Sequence, residues 1–367
     1  MYRLILLVSI LMAALTSCLP APAAGPGVLP SLTPDQTDTP VLPPPSITRF
    51  PTATPSKPAA TPTFAPTRTP TLNPMSILGL RARAYPGSDI VIEKELPAAA
   101  NYHRYYASYR SEGLKIYALL TIPDGEMPAG GWPAIVFNHG YIPPKEYRTT
   151  ERYIAYVDWL ARSGYVVFRI DYRGNDQSEG KPSGAYGDPG YTSDVLNAVA
   201  SIQRYPLVNP QKVGMWGHSM GGFLTLRAMV ISKDIKAGVI WSGVVGTYYD
   251  LFYNWHPNQS TPTPAPDAHG WRSEWVGAHG TPKQDPVFWD SLSANAYLAD
   301  LSGPLQLHHG LADEEVPVQF SENLSEAVQS IGGTAELYTY PGNDHNLSQS
   351  FSQAMQRTIA FFDKYLK

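Results

Sequence analysis

The chain has 367 residues and a formal net charge of -4, so it is long enough for one large domain or two ordinary ones. Hydrophobic residues make up 43% of it, which is enough to bury a sizeable core. No basic run and no zinc-finger spacing supports nucleic-acid binding. Cys18 is the single cysteine, which excludes an intrachain disulfide.

Residues 1–18 have the pattern of an export signal. Arg3 gives a positive start, and the apolar stretch at 4–15 is too short to span a bilayer comfortably. It ends in Leu-Thr-Ser-Cys, which resembles the lipobox of bacterial lipoproteins, whose cysteine is lipidated and becomes the new N-terminus. We therefore expect export and a lipid anchor at Cys18, on the bacterial cell surface or the periplasmic face of a membrane. The alternative is an ordinary secretory signal that contains a cysteine.

Residues 19–75 are predicted to be a linker. Thr-Pro pairs recur along this stretch, for example at 54–55, 61–62 and 69–70. Proline removes backbone donors and favours the extended polyproline II conformation, so no packed core is expected here. The linker would hold the following domain away from the anchor.

The globular domain is predicted to run over 76–367. Short apolar strands alternate with helical stretches, which predicts an α/β fold with a mainly parallel central sheet flanked by helices. Strands are predicted at 90–95, 102–108 and 114–122, these three antiparallel, and at 134–138, 165–170, 212–216, 237–241, 305–308 and 335–340. Helices are predicted at 150–163, 191–204, 219–232, 318–331 and 348–365. Residues 243–300 are predicted to be an irregular cap insertion over the site.

Ser219 is the predicted nucleophile. It lies in Gly-His-Ser-Met-Gly-Gly at 217–222, directly after a strand and at the start of a helix. This is the context that a Gly-x-Ser-x-Gly nucleophile elbow requires. The turn is tight enough that Gly217 and Gly221 must lack side chains. The alternative, a chance occurrence of this common motif, does not explain the partners that follow downstream.

His345 is the predicted base, because a serine hydroxyl is a poor nucleophile without one. It lies in the loop after the last strand. Asp313, just past the strand at 305–308, is the predicted acid that orients the imidazole and stabilises its protonated form. The order serine, acid, histidine is that of the α/β-hydrolase fold. The rival acids are Asp344, Glu314 and Asp250.

Two backbone N–H groups are predicted to form the oxyanion hole. One belongs to Met220, directly after the nucleophile, and the other to Tyr141, in the loop after the strand at 134–138. Gly140 permits a close approach of this loop. His139 is an alternative second base, although its position before Gly140 favours a structural role.

The predicted cap is rich in aromatic residues, for which two interpretations stay open. In one interpretation these side chains stack on a sugar or an aromatic acyl group of the substrate. In the other they form a small core under the cap. They are Tyr248, Tyr249, Phe252, Tyr253, Trp255, Trp271, Trp275 and Trp289. The polar residues His256, Asp267, His269 and His279 fit no zinc spacing, so no metal is predicted. No glycine-rich phosphate loop occurs, and no cofactor is predicted.

Three segments besides the elbow carry a family resemblance. They are GYVVFRIDYRG at 164–174, VNPQKVG at 208–214 and GLADEEVP at 310–317. Together they resemble the catalytic domain of the prolyl oligopeptidase family, in the α/β-hydrolase superfamily, over about 115–367. The resemblance implies this fold and a Ser-Asp-His triad. Met220 departs from the tyrosine that this family often has there, and the stretch before the domain is too short for the family's usual β-propeller.

We therefore expect an exported serine hydrolase that cleaves carboxylic esters of small molecules through an acyl-serine intermediate. Similar propeller-free sequences include acyl esterases, some of which act on acylated plant polysaccharides. The first alternative is a peptidase that acts on short peptides with the same triad. The second is a surface binding module on an inactive scaffold. The sequence does not indicate an oligomeric state.

Overall fold

A computed structural model describes residues 72–255 and 270–367. Within these ranges the backbone forms a nine-stranded sheet with the order β1-β2-β3-β5-β4-β6-β7-β8-β9. The first three strands and β5 pair antiparallel, and all pairs from β5 onwards are parallel. The strands are β1 (Val91–Leu96), β2 (Tyr102–Ser111), β3 (Leu114–Pro123), β4 (Trp132–Asn138), β5 (Val166–Ile170), β6 (Val208–His218), β7 (Gly238–Trp241), β8 (Leu305–Gly310) and β9 (Ala335–Tyr340).

Nine α-helices lie within the described ranges, together with one 3₁₀ helix at Ala294–Asp300. None of them combines the length and the hydropathy that crossing a bilayer requires. The α-helices are α1 (Ile77–Arg81), α2 (Ile154–Arg162), α3 (Gly190–Gln203), α4 (Met220–Ile231), α5 (Tyr248–Tyr253), α6 (Trp271–His279), α7 (Pro286–Leu292), α8 (Gln319–Ser330) and α9 (Phe351–Leu366).

Two hydrophobic cores lie on opposite faces of the sheet. Helices α3, α4 and α8 cover one face, and α2 and α9 cover the other. Successive side chains of a strand point to opposite faces, so Ala134 and Val136 of β4 enter the first core while Ile135 and Phe137 enter the second. This explains why the central strands are continuous apolar runs, as expected of a parallel sheet covered on both sides.

The parallel strands end at one common edge. Asn138 at the end of β4 pairs with Gly217 of β6, and His218 pairs with Trp241 of β7. At the far side, Gly310 of β8 pairs with Tyr340 of β9. The loops that follow these strands therefore emerge side by side, which is where ligands bind in open α/β sheets. The predicted fold, an α/β hydrolase with a mainly parallel sheet, is confirmed.

Two parts of the domain differ from the prediction. Met75, assigned to the linker, is buried in the core, and Ser76 caps the short helix α1, which was not predicted. The cap insertion is also not irregular throughout, because it contains α5, α6, α7 and the 3₁₀ helix. Residues 1–71, which include the predicted signal, Cys18 and nearly all of the linker, lie outside the described residues.

Candidate active site

The turn at 217–222, called the elbow here, holds Ser219 in a strained backbone conformation with φ 55° and ψ -120°. A Cβ on Gly217 would lie 2.2 Å from the Gly221 carbonyl oxygen. A Cβ on Gly221 would lie 2.0 Å from the Asn138 carbonyl oxygen. Neither position tolerates a side chain, as the motif predicts. The result is a half-buried serine at the N-terminus of α4.

The structure brings His345 and Asp313 together. His345 Nδ1 lies 2.8 Å from Asp313 Oδ2, and both side chains are almost fully buried. Backbone hydrogen bonds connect the loops that carry Asp313 and His345. The Leu311 N–H donates to the Tyr340 carbonyl, and the Ala312 N–H donates to the Asn343 carbonyl. The bond to Asp313 places the Nδ1 proton toward the carboxylate and leaves Nε2 as the nitrogen that can accept a proton.

The three rival acids are engaged elsewhere or make no contact with the imidazole. Asp344 accepts hydrogen bonds from the Ser348 amide at 2.8 Å and from the Ser348 hydroxyl at 2.7 Å. Asp250 closes a capping box with Thr247 at the start of α5. Within the described residues Glu314 forms no ion pair with His345, whose carboxylate partners are Asp313 and Glu315.

A second histidine, which sequence reasoning missed, flanks the carboxylate of Asp313. His309 Nε2 lies 3.2 Å from Asp313 Oδ2. The amides of Glu315 and Val316 also donate to Asp313, at 2.9 and 3.0 Å. Burial alone would raise the pKa of Asp313, but the hydrogen bonds from His309 and His345 hold it well below its usual range. The carboxylate is therefore ionised at neutral pH.

His218 and Tyr153 connect the elbow to its neighbours. The Gly140 amide donates to the Tyr153 hydroxyl at 2.9 Å, and that oxygen lies 2.8 Å from His218 Nδ1. His218 Nε2 lies 3.0 Å from the His345 carbonyl oxygen, so this nitrogen carries the proton. Burial and the neighbouring His345 lower the pKa of His218 to about 3, and the ring is neutral. The sequence placed His218 in the motif but gave no sign of these partners.

His345 lies beside the elbow. In the described structure its imidazole makes no direct hydrogen bond to Ser219. The rings of His218 and His345 are 4.6 Å apart between centroids, which sets His345 beside the elbow. His345 Nε2 lies 3.7 Å from Glu315 Oε2. Bonds from nucleophile to base are often long in free enzymes and tighten in the substrate complex.

The loop at 139–141, called the β4 loop here, packs on the elbow. A Cβ on Gly140 would lie 3.2 Å from the Cβ of Ser219, so the glycine permits this approach. In the described structure the amides of Met220, at the start of α4, and of Tyr141 donate no hydrogen bond to a backbone carbonyl. The tyrosine side chain itself is exposed. The Met220 amide therefore directly follows Ser219, and the Tyr141 amide follows the glycine that contacts the elbow.

His139 has the position of a structural residue. It is fully buried, its Nδ1 lies 2.6 Å from the Gly140 carbonyl oxygen, and its ring stacks on Tyr147 at 4.3 Å. Burial lowers the pKa of His139 to about 3. The Tyr147 hydroxyl in turn donates to the buried carboxyl of Asp171 at 2.8 Å. These contacts favour the structural interpretation over a second base.

The described cap aromatics form mainly a small core. Tyr248 and Trp289 are buried, with ring centroids 5.4 Å apart, and Phe252 packs on Trp289 at 4.9 Å. His279 stacks on Phe288 at 3.7 Å. Residues 72–255 and 270–367 contain no group of three or more metal-ligating side chains. The cap residues His256, Asp267 and His269 lie outside the described residues.

A comparison with protein families decides the classification. The profile of the prolyl oligopeptidase family matches residues 152–367, more than half of the chain. The chain belongs to this family. It has the α/β-hydrolase fold, and the matched region includes the elbow, Asp313 and His345.

Known proteins similar to the chain include peptidases and an esterase. The uncharacterized peptidase YtmA of Bacillus subtilis is 26% identical over 70% of this chain and 91% of its own length. The acylaminoacyl peptidase of Pyrococcus horikoshii has a TM-score of 0.58 and 22% identity, over 73% of this chain and 43% of its own. Acetyl xylan esterase 1 of Thermoanaerobacterium has a TM-score of 0.55 and 18% identity, over 75% of this chain and 88% of its own.

The solved structures support the fold alone at these identities. An alignment with another Bacillus subtilis relative covers only 28% of that relative's length.

Proposed function

We propose that the protein hydrolyses carboxylic esters through an acyl-serine intermediate, with Ser219 as nucleophile, His345 as base and Asp313 as the acid that orients it. The observation that carries this proposal is the 2.8 Å bond between Asp313 and His345 beside the strained Ser219. A buried carboxylate on Nδ1 stabilises the imidazolium that forms when Nε2 takes a proton. An amide donor next to the nucleophile completes what acyl transfer needs.

The proposed reaction has two halves. Ser219 Oγ attacks the acyl carbon while His345 Nε2 takes the hydroxyl proton, and the amides of Met220 and Tyr141 bind the resulting oxyanion. The C–O bond to the leaving alcohol then breaks as His345 returns the proton to it. Water attacks the acyl-serine with the same base, and the acid leaves as Ser219 regains its proton.

The preference for esters over peptides rests on the architecture of the described residues. They form a hydrolase sheet with a small cap, and acetyl xylan esterase 1 aligns over 88% of its own length. Peptide hydrolysis is the second candidate, supported by family membership and by the likeness to acylaminoacyl peptidase.

A panel of nitrophenyl esters and short peptide anilides distinguishes the two. We expect ester turnover that falls about 10³-fold or more in Ser219→Ala, with the residual rate supplied by the oxyanion donors. Rapid peptide cleavage with slow ester turnover would instead establish the peptidase. If a fluorophosphonate labelled no residue and neither substrate class were turned over, the chain would be a binding module.

We also propose that the protein is exported and anchored through a lipid on Cys18, which rests on the sequence of residues 1–18 alone. Expression in a bacterial host with radiolabelled palmitate tests this. The full chain should incorporate label and sediment with membranes, and Cys18→Ser should do neither. Unlabelled wild-type protein in the soluble fraction would refute the anchor.

A further inference from the structure

Glu315 places a carboxylate next to the free nitrogen of His345. Its Oε2 lies 3.7 Å from His345 Nε2, and 70% of the Glu315 side chain is exposed. Since Nδ1 is bound to Asp313, Nε2 is the nitrogen that hands a proton to the departing group. The carboxylate of Glu315 therefore borders the side of the site from which the leaving group departs.

The charge of Glu315 is not neutralised by a basic residue. Within the described chain no lysine or arginine lies within ion-pair distance of it, and the titratable side chain that does is His345. Other glutamates do have such partners: Glu93 pairs with Lys115 at 2.7 Å, and Glu112 pairs with Arg173 at 2.8 Å. A cation arriving with the substrate would meet an unpaired carboxylate at the site.

The backbone of Glu315 is fixed on both sides. Its amide donates to Asp313 at 2.9 Å, and its carbonyl accepts the indole N–H of Trp255 at 2.8 Å. The Trp255 ring packs edge-on against Tyr186, with centroids 5.6 Å apart. The indole of Trp255 is thereby held at the loop that carries Glu315, and the faces of aromatic rings attract cations as a carboxylate does. The position of Glu315 is thus set by the same loop that carries Asp313.

We propose that Glu315 makes the site selective for substrates that carry an ammonium group on the leaving-group side of the scissile bond. The inference rests on the proposed function, since it requires that Ser219 be the nucleophile. It adds the chemical class of the leaving group, which neither the fold nor the family determines. Glu315 acts in it as a specificity residue that touches the substrate and takes no part in proton transfer.

A matched pair of methylphosphonothiolates tests the proposal without knowledge of the natural substrate. One carries a thiocholine leaving group with its trimethylammonium, and the other carries the isosteric neutral 3,3-dimethylbutyl thiol. Each forms a bond between Ser219 Oγ and phosphorus, while the P–S bond breaks and the thiol leaves with the serine proton. The second-order rate of Ser219 labelling, followed by mass spectrometry, gives the preference as a ratio.

We expect the ratio of the cationic to the neutral labelling rate to be about twofold to fivefold higher in the wild-type protein than in Glu315→Gln, as suits one partly exposed charge pair. This comparison cancels the different leaving abilities of the two thiols, and 1 M salt should lower the ratio of the wild type through screening. The control is Glu314→Gln, which makes the same change in net charge one residue away and should keep the ratio.

Each failure has its own signature. A ratio that is the same in the wild type and in Glu315→Gln would refute the proposal and leave the function of Ser219 intact. A ratio lowered equally in Glu314→Gln would replace a local contact with a general charge effect and refute it as well. If neither probe labelled Ser219, the proposed function would fail together with the inference.

Discussion

His309 is the residue whose removal tests the electrostatics of the site most sharply. Its fully buried Nε2 lies 3.2 Å from Asp313 Oδ2 and 2.9 Å from the Val316 carbonyl oxygen. Both neighbours are acceptors, so Nε2 carries the proton and Nδ1 accepts from the Ser321 hydroxyl at 2.7 Å. His309→Phe keeps a flat ring of similar size and removes the donor to Asp313.

The expected loss follows from the kind of bond. A hydrogen bond to a charged group contributes about 1.5–3 kcal/mol. If Asp313 loses that support when the imidazolium forms, kcat/KM for an ester falls about tenfold to a hundredfold, since about 1.4 kcal/mol is a factor of ten. His309→Gln, which retains an N–H donor, should recover part of the rate.

The matched control is His308→Phe. His308 is the neighbouring residue of β8, is equally buried, and has bonds of 2.7 Å to Tyr340 and Gln306 on the opposite face of the sheet. Both variants should lose stability in urea, but only the change at His309 should lower kcat/KM in protein shown to be folded. Equal kinetic effects of the two variants, or full activity of His309→Phe, would refute the reasoning.

Three further predictions concern the scaffold of the site. Gly221→Ala puts a Cβ 2.0 Å from a backbone oxygen. We therefore expect the free energy of unfolding, measured in urea, to fall by about 1–3 kcal/mol and kcat to fall as well. A variant with the stability and kcat of the wild type would contradict the tight turn at the elbow. Tyr153→Phe leaves the Gly140 amide and His218 Nδ1 without their hydrogen-bond partner. The free energy of unfolding should fall by about 1–3 kcal/mol, and ester hydrolysis should slow. Wild-type rate and stability in this variant would argue against the network. Burial raises the pKa of Asp171 from 3.8 to about 7, so its contribution to stability is full below about pH 4 and is lost as pH rises through 7. The difference in free energy of unfolding between Asp171→Asn and the wild type should therefore shift by about 3 kcal/mol in favour of the variant as the pH rises from 5 to 8. A difference that does not depend on pH would exclude this carboxyl as the cause.

The sheet and the three loops around the site could be predicted because their signals are local. The strand β4 is a continuous apolar run, and the elbow carries its glycines in the sequence itself. Once a parallel sheet is inferred, its carboxyl ends must share one edge, which sets the loops after β6, β8 and β9 side by side.

The partners of the site residues could not be predicted, because they meet only through the fold. Tyr153 and His218 are 65 residues apart in the chain. The buried state of His309 depends on where β8 lies in the sheet, and its sequence neighbour His308 has the same residue type with a different role. The two histidines differ only in where the folded sheet places their side chains.

The short helices of the cap were missed for a related reason. Helix α5 has six residues, too few to be stable alone, and it depends on the packing of Tyr248 against Trp289. One local signal was available, since Thr247 and Asp250 form a capping box with the spacing expected at a helix start.

The most direct test of the central claim is to trap the acyl group. A nitrophenyl ester is mixed with the protein, the reaction is quenched in acid within the first turnovers, and the digest is analysed by mass spectrometry. The account predicts the mass of the acyl group on the peptide that contains Ser219, and its absence from Ser219→Ala. Acylation of another residue, or undiminished ester turnover by Ser219→Ala, would contradict it.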